Sequence, residues 1–239
     1  MSKYYPIMLD VRGRLALVIG GDRIAAEKAT ALSASGAKVT VLSPTFCNEL
    51  QQQAERHEVT LWHKAYESSD LADAFIVIAA TNDQTLIDAL YAETQERGQL
   101  LNIVDVPKYC SFIIPSILRR GQLTIAVSTE GASPGLAKRI RQSLEDLFPH
   151  AYDTYLRLAS LARAGLRKQG VSYARRDDFF GDYYVSTVLT KLVDGDVEAA
   201  TKETSDLLQT YDVVVSGSAL EAGLEEENNY VHHSTEASE

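Results

Sequence analysis

The chain is short of several things that narrow its class. It has two cysteines in 239 residues, Cys47 and Cys110, far apart in sequence and without the spacing of a metal-ligand pair. That excludes a disulfide framework and a cysteine-based zinc site, and points to reduced thiols in a cytoplasmic protein. No apolar run reaches the roughly 18 residues that would suggest a membrane span. The opening Met1-Ser-Lys-Tyr-Tyr-Pro-Ile is neither an apolar signal core nor an Arg-rich transit peptide. Basic residues are in the minority, 23 Lys and Arg against 33 Asp and Glu, for a net charge of −10. Nucleic-acid binding through a broad basic surface is therefore not expected. Much of the imbalance lies past Ser216, where Glu221, Glu225, Glu226, Glu227, Glu236 and Glu239 stand without any Lys or Arg. The composition of residues 213–239 predicts an acidic, disordered tail. His232 and His233 within it are more simply solvated than metal-bound, and no histidine-rich cluster predicts a metal site.

What is present is dominated by Leu15-Ala-Leu-Val-Ile-Gly-Gly-Asp-Arg-Ile-Ala-Ala-Glu-Lys-Ala29. Five apolar residues read as a buried strand, two glycines break it, and a helix-period run follows with Ile24, Ala25, Ala29 and Leu32 free to pack on a sheet. Gly36 ends that helix and Lys38–Leu42 reads as the next strand. Strand, glycine turn, helix and parallel strand form the first unit of a dinucleotide-binding fold, with a pyrophosphate site at the helix N-terminus. The fingerprint G-x-G-x-x-G/A falls on Gly20, Asp22 and Ala25, so its second glycine is an aspartate. Asp22 puts negative charge where a pyrophosphate would lie. At close range the repulsion could be worth about 1 to 4 kcal/mol, or roughly ten- to a thousandfold in affinity.

The α/β pattern continues. A helix is expected from Thr45 to about Arg56, and a strand over Val59–His63. Residues 71–73 read as a short helical turn, and Phe75–Ala80 as a wholly apolar strand ending in Thr81-Asn-Asp83. A helix over Thr85–Arg97 is stopped by Gly98, and the strand Leu100–Val104 delivers Asp105. Ser111–Leu118 and Leu123–Val127 read as two strands around a tight turn, with Pro115 marking an edge or bulge. Ser133 is set to cap the next helix, with Pro134 in its first position and an end near Phe148. Helical stretches follow, one striped by Tyr155, Leu158, Ala159, Ala162 and Leu166, then Asp178–Leu192 and Val197–Leu208, parted at Asp194-Gly195. The expected domains are residues 1–110, a Rossmann-type parallel sheet; 111–148, a strand pair and helix; 149–212, a small helical domain; and the tail from 213. So narrow a helical stripe offers little core of its own, which predicts a homodimer.

The polar residues at strand ends are the candidates for chemistry. Asp105, with Asn102 three residues before it, sits where an open α/β sheet binds its ligand. Ionised near neutral pH, it could accept a proton; it could equally cap a loop. Ser43 or Thr45 could bond an adenosine ribose, and the strand end Leu42-Ser-Pro-Thr45 carries no acid to select NAD over NADP. Arg119, Arg120, Lys138, Arg139 and Arg141 are a basic concentration in an acidic chain, suited to a polyanionic small molecule or to a solvated face. Ser128, Thr129 and Ser133 could bond ligand carboxylates or serve only the loop and cap.

Several motifs in order carry a resemblance: Tyr5-Pro-Ile-Met-Leu-Asp10, Val18-Ile-Gly-Gly21, Ile78-Ala-Ala-Thr-Asn-Asp83, Asn102-Ile-Val-Asp105, Ser111-Phe-Ile-Ile-Pro-Ser116 and Val127-Ser-Thr-Glu-Gly-Ala-Ser-Pro134. From about Tyr5 to Leu208 the chain resembles the precorrin-2 dehydrogenase and sirohydrochlorin ferrochelatase family, the N-terminal part of siroheme synthases. The resemblance implies NAD-dependent oxidation of precorrin-2 to sirohydrochlorin, in some members with ferrous iron insertion, by a dimer with an intertwined helical part. It implies Asp105 as the key carboxylate. NAD would lie against Gly20, Gly21, Asp22, Arg23, Ile24, Ser43, Pro44, Thr45, Thr81 and Asn82. The tetrapyrrole would meet Asn102, Ser111, Arg119, Arg120, Ser128, Thr129, Ser133 and Lys138. Fused members carry a methyltransferase domain that a chain of this length does not accommodate. A third consecutive glycine is usual where Asp22 stands, so a chelatase with impaired dehydrogenation is an alternative. A non-catalytic nucleotide or tetrapyrrole sensor is another, although no helix-turn-helix accompanies the fold.

Overall fold

A computed structural model describes residues 4–225. It divides into two compact units, Met1–Ile114 and Pro115–Glu239. The expected boundary near residue 110 thus falls a few residues later, and the strand pair and the helices share one unit, with no division at 149.

The first unit is built on five parallel strands: β1 (Leu15–Ile19), β2 (Lys38–Ser43), β3 (Thr60–His63), β4 (Ile76–Ala79) and β5 (Leu100–Ile103). They lie in the order β3-β2-β1-β4-β5. Every residue of β4 is buried and β1 is buried from Ala16 on, as in a parallel sheet covered on both faces. The connecting helices are α1 (Arg23–Ser33), α2 (Asn48–Glu55) and α3 (Gln84–Arg97). α1 buries Ala25, Ala26, Ala29 and Leu32. Ile24, expected on that face, is 42% exposed at the helix start. α2 begins three residues later than its sequence suggests, because Thr45 and Phe46 remain in the loop that meets the glycine turn. α3 ends as expected at Gly98, in the left-handed conformation with φ 65°. The single tryptophan, Trp62, lies on the edge strand β3 and is partly exposed.

Pairing brings the site-bearing strand ends level. Ile19 of β1 pairs with Leu42 of β2 and with Ala79 of β4, and Ala79 pairs with Ile103 of β5. Four strands therefore release their chains along one line, about 4.8 Å apart from strand to strand. The glycine turn is wedged into that line. Gly20 has φ 137°, and its N–H donates to Leu42 O at 3.0 Å. A Cβ on Gly21 would lie 1.7 Å from the Thr45 carbonyl oxygen and 2.6 Å from Ser43 Oγ. The Gly21 carbonyl accepts from the Cys47 N–H at 2.7 Å.

The second unit opens with an antiparallel pair, β6 (Ser116–Arg120) and β7 (Leu123–Val127). β6 begins one residue after Pro115, which has no N–H to give a ladder, so the expected strand over Ser111–Leu118 shifts toward the C-terminus. α4 (Pro134–Leu147) starts as expected, with Ser133 Oγ accepting from the Leu136 N–H at 3.3 Å. Then come α5 (Ala151–Lys168), α6 (Tyr173–Val185), α7 (Val188–Val193) and α8 (Val197–Thr210). The expected single helix over Asp178–Leu192 is two. Ser186 Oγ donates to the Tyr183 carbonyl at 2.7 Å and accepts from the Val188 N–H at 3.3 Å, closing one helix and opening the next.

Two expectations fail in this unit. Its helices do have a core of their own, formed by Tyr155, Leu158, Leu166, Phe179, Tyr183, Val188 and Leu208 among others. Tyr155 and Tyr183 stack at 4.8 Å, and each hydroxyl donates to the other's backbone carbonyl, at 3.3 and 3.0 Å. A shortage of core is therefore no argument for a dimer. The expected tail from residue 213 is also in part structured: residues 217–225 form a helix, α9, and Val213, Leu220 and Leu224 are buried in the same core. Buried Arg157 donates to the Leu224 carbonyl, tying α9 to α5. The acidic residues mask three apolar positions spaced to reach that core. Residues 226–239, with His232 and His233, lie outside the described residues.

Two outcomes follow for stability. Leu220→Ala should cost about 2 to 4 kcal/mol in denaturant unfolding, the range for a buried leucine, whereas a disordered tail would leave stability unchanged. Gly21→Ala should cost about 3 kcal/mol or more, because Cβ collides with backbone rather than with a side chain that can turn away.

Candidate functional site

At the level strand ends of the first unit, α1 presents its N-terminus. The N–H groups of Gly21, Asp22, Arg23 and Ile24 have no hydrogen-bond acceptor among the described residues. Successive free amides at a helix start, with the helix dipole behind them, form a nest for an anion. Asp22 takes the next amide: its Oδ1 accepts from the Ala25 N–H at 2.9 Å as the helix N-cap. The nest thus fits a pyrophosphate in its hydrogen bonds, and the cap's own carboxylate opposes it in charge. Exposed Arg23 stands next in sequence with a compensating positive charge.

On the β2 side, Pro44 and Thr45 are exposed, but Ser43 is 8% exposed and lies under the glycine turn. Its hydroxyl accepts from the Thr45 N–H at 3.4 Å. Ser43 is therefore a support for the turn rather than an open ribose ligand. On the β4 side, Asn82 is exposed and Thr81 half-buried, with Thr81 Oγ1 accepting from the Asp83 N–H at 3.2 Å. Asp83 caps α3, accepting from Thr85 and Leu86.

Two strands from the glycine turn, roughly 10 Å away at the usual strand spacing, Asp105 follows β5. It is exposed, and its carboxylate has no hydrogen-bond or ion-pair partner among the described residues. It adopts φ 61°, a left-handed conformation that aspartate tolerates better than most residues. A free carboxylate on a rigid sheet edge can take up a proton from a molecule lying across the strand ends.

Asn102 and Ser111, expected to meet substrate, are engaged inside the first unit. Asn102 is 9% exposed and its Nδ2 donates to the Phe112 carbonyl at 3.0 Å. β5 is an edge strand, and Ser111 seals its open side. The Ser111 N–H donates to Leu101 O at 2.8 Å, and Ser111 Oγ accepts from Leu101 N at 2.8 Å. Both residues hold the return loop on the sheet; bonds to partners ten residues away gave no local signal in the sequence.

In the second unit, Arg119 and Lys138 are exposed. Arg120 instead closes the end of α4, its Nε donating to the Phe148 carbonyl at 2.7 Å, so it is not a free substrate ligand. Arg141 pairs with Glu145 one turn on. Ser128 and Thr129 accept through their side-chain oxygens from the Glu130 and Ser133 N–H groups, both at 3.0 Å. With Ser133 capping α4, all three keep a hydroxyl hydrogen for donation. The loop they shape has two left-handed residues in succession, Glu130 and Gly131. Among the described residues no cluster of His, Cys, Asp and Glu is arranged to hold a metal ion, and no helix is long and apolar enough to cross a membrane. Cys47 and Cys110 are both free thiols.

Comparison with known proteins finds relatives for both parts of the chain. Residues 7–116 match the family described as "Putative NAD(P)-binding", and residues 120–147 match that described as "Sirohaem biosynthesis protein central". A siroheme synthase of Photorhabdus laumondii is 34% identical over 210 residues, covering 88% of this chain and 45% of the relative. One of Nitrosococcus oceani is 33% identical over 198 residues, covering 83% and 42%. The chain thus spans less than half the length of these curated relatives. The solved structure of SirC, a precorrin-2 dehydrogenase, is similar with a TM-score of 0.72 and 28% identity, over 87% of this chain and 99% of that one. With the nucleotide-binding segment, the sirohaem central segment and both kinds of relative matched on one chain, the protein is similar over most of its length to part of the siroheme synthases and to a precorrin-2 dehydrogenase.

Proposed function

We propose that the chain oxidises precorrin-2 to sirohydrochlorin, with NAD as hydride acceptor and Asp105 as general base. The observation that carries the reading is the free Asp105 carboxylate, level with the amide nest on one edge of the sheet. The oxidation removes a hydride and a proton from the macrocycle. Bound NAD supplies the acceptor for the hydride. The amides of Gly21 to Ile24 would hold its pyrophosphate, and Pro44 and Thr45 would meet its adenosine. Thr81 and Asn82 offer a hydroxyl and an amide beside the β4 end that would meet the nicotinamide. Asp105 takes the proton and passes it to solvent, to which it is open.

In the second unit, Arg119 and Lys138, with the hydroxyls of Ser128, Thr129 and Ser133, supply donors for the many carboxylates of a tetrapyrrole. The chain acts as a homodimer. The support for this is α4, which buries Ala137 alone while Leu136, Ile140 and Leu147 are 50, 40 and 67% exposed. We place the protein in the cytoplasm, where its thiols stay reduced.

The direct test is NADH appearance with precorrin-2 and NAD, followed by ferrous iron addition to see whether the same chain also metallates the product. Asp105→Asn should lower kcat by about 10²- to 10⁴-fold, the usual contribution of a general base, with NAD affinity retained. Unchanged turnover would remove Asp105 from the chemistry. Asp22→Gly tests the opposed charge in the nest. Two unit charges 4 Å apart in water repel by about 1 kcal/mol, so titration should show NAD binding tightened about fivefold, with the difference shrinking at high salt. Identical titration curves for the two proteins would show that the cap does not oppose the cofactor.

A further inference from the structure

The turn that carries Asp105 is strained and lies past the end of an edge strand, so something must hold it. A left-handed residue other than glycine costs roughly 1 to 2 kcal/mol, and such a conformation persists only where its surroundings over-determine it. The turn's own hydrogen bond, Val106 N–H to Ile103 O at 3.2 Å, is a single restraint. The next segment supplies the others.

Cys110 Sγ accepts from the Ile103 N–H at 3.2 Å and lies 3.3 Å from the Ile103 carbonyl and 3.4 Å from the Val106 carbonyl. One side chain therefore bonds both ends of the turn. Half-burial pushes the thiol pKa up, which keeps the hydrogen in place to be donated. Tyr109, one residue before, ties the same segment to α3. Its hydroxyl donates to Asp88 Oδ1 at 2.7 Å, and Gln84 Nε2 donates both to that oxygen, at 2.7 Å, and to the Tyr109 hydroxyl, at 3.0 Å. These two donors hold the Asp88 carboxyl below its usual range, so it stays ionised as their acceptor. The Tyr109 ring packs edge-on against Tyr91 of α3 at 5.1 Å.

We propose that Cys110 and Tyr109 are positioning residues for the reaction, fixing the Asp105 carboxylate by bonding its turn from both ends and anchoring that turn to α3. The inference rests on Asp105 as the general base. Neither residue reaches the amide nest at β1, so its effect falls on turnover and not on cofactor binding. A displacement of about 1 Å at a reacting group is enough for a large rate loss.

The test compares Cys110→Ala, Cys110→Ser and Tyr109→Phe with the unaltered protein and with Asp105→Asn. The readouts are kcat for precorrin-2 oxidation, the Kd for NAD, and amide hydrogen exchange at Ile103 and Val106. The alanine variant should lose about tenfold in kcat, and the phenylalanine variant several-fold, both with an unchanged NAD Kd. Exchange at Ile103 and Val106 should quicken in Cys110→Ala, and serine, which can accept and donate in the same place, should restore both rate and protection. A rise in NAD Kd parallel to the rate loss, or no gain in Cys110→Ser over Cys110→Ala, overturns the proposal while leaving Asp105 as base. Full turnover in Asp105→Asn overturns the underlying assignment and this proposal with it. Should Cys110→Ala fail to fold, Tyr109→Phe, which keeps the ring contact, decides the matter by the same split between kcat and Kd.

Discussion

The contact of Gly21 with the carbonyl of Thr45 governs the first unit. No side chain fits between them, so the β1–α1 turn and the β2–α2 loop close on each other. The Gly21–Cys47 hydrogen bond locks that closure. Because the strands beneath are paired level at Ile19, Leu42, Ala79 and Ile103, closing these two loops also fixes the direction in which α1 leaves the sheet. The orientation of the amide nest follows from that direction. The glycines usually credited with making room for a cofactor here also make room for the protein's own backbone. Asp22 is the first position past this contact where a side chain can stand, and it turns back to cap the helix.

The same logic separates what the sequence made readable from what it hid. Buried parallel strands announce themselves as apolar runs, and Gly98, Ser133 with Pro134, and Gly195 punctuate helices through local backbone chemistry. These elements were legible, as were the parallel sheet and the placement of Asp105 at its edge. The features that escaped notice depend on partners distant in the chain. Asn102, Ser111 and Arg120 look like ligand donors because they are polar residues near strand ends, yet their partners are Phe112, Leu101 and Phe148. The break at Ser186 is the exception, closed by its near neighbours Tyr183 and Val188 but marked by neither glycine nor proline. α9 was hidden by its charge, since Leu220 and Leu224 are only two apolar positions among glutamates, and their value comes from the pocket between other helices that receives them.

Cys110 and Ser111 cover the open side of β5 by satisfying its backbone groups, while Asp105 itself is left without a partner. An unpaired carboxylate beside a well-bonded frame combines a rigid support with an unsatisfied group, the arrangement that the proposed role of Asp105 as proton acceptor requires.

The apolar cores are also separate: two sets of buried residues lie between Val11 and Ile103 in the sheet unit, and another runs from Tyr155 to Leu224 in the helical unit. Melting of such a chain need not be a single transition. Its only indole, Trp62, sits in the sheet unit, whereas the stacked phenols of Tyr155 and Tyr183 sit in the helical one. Tryptophan emission and near-ultraviolet tyrosine dichroism are thus two distinct optical reporters, and a midpoint read from the first describes the nucleotide-binding half alone.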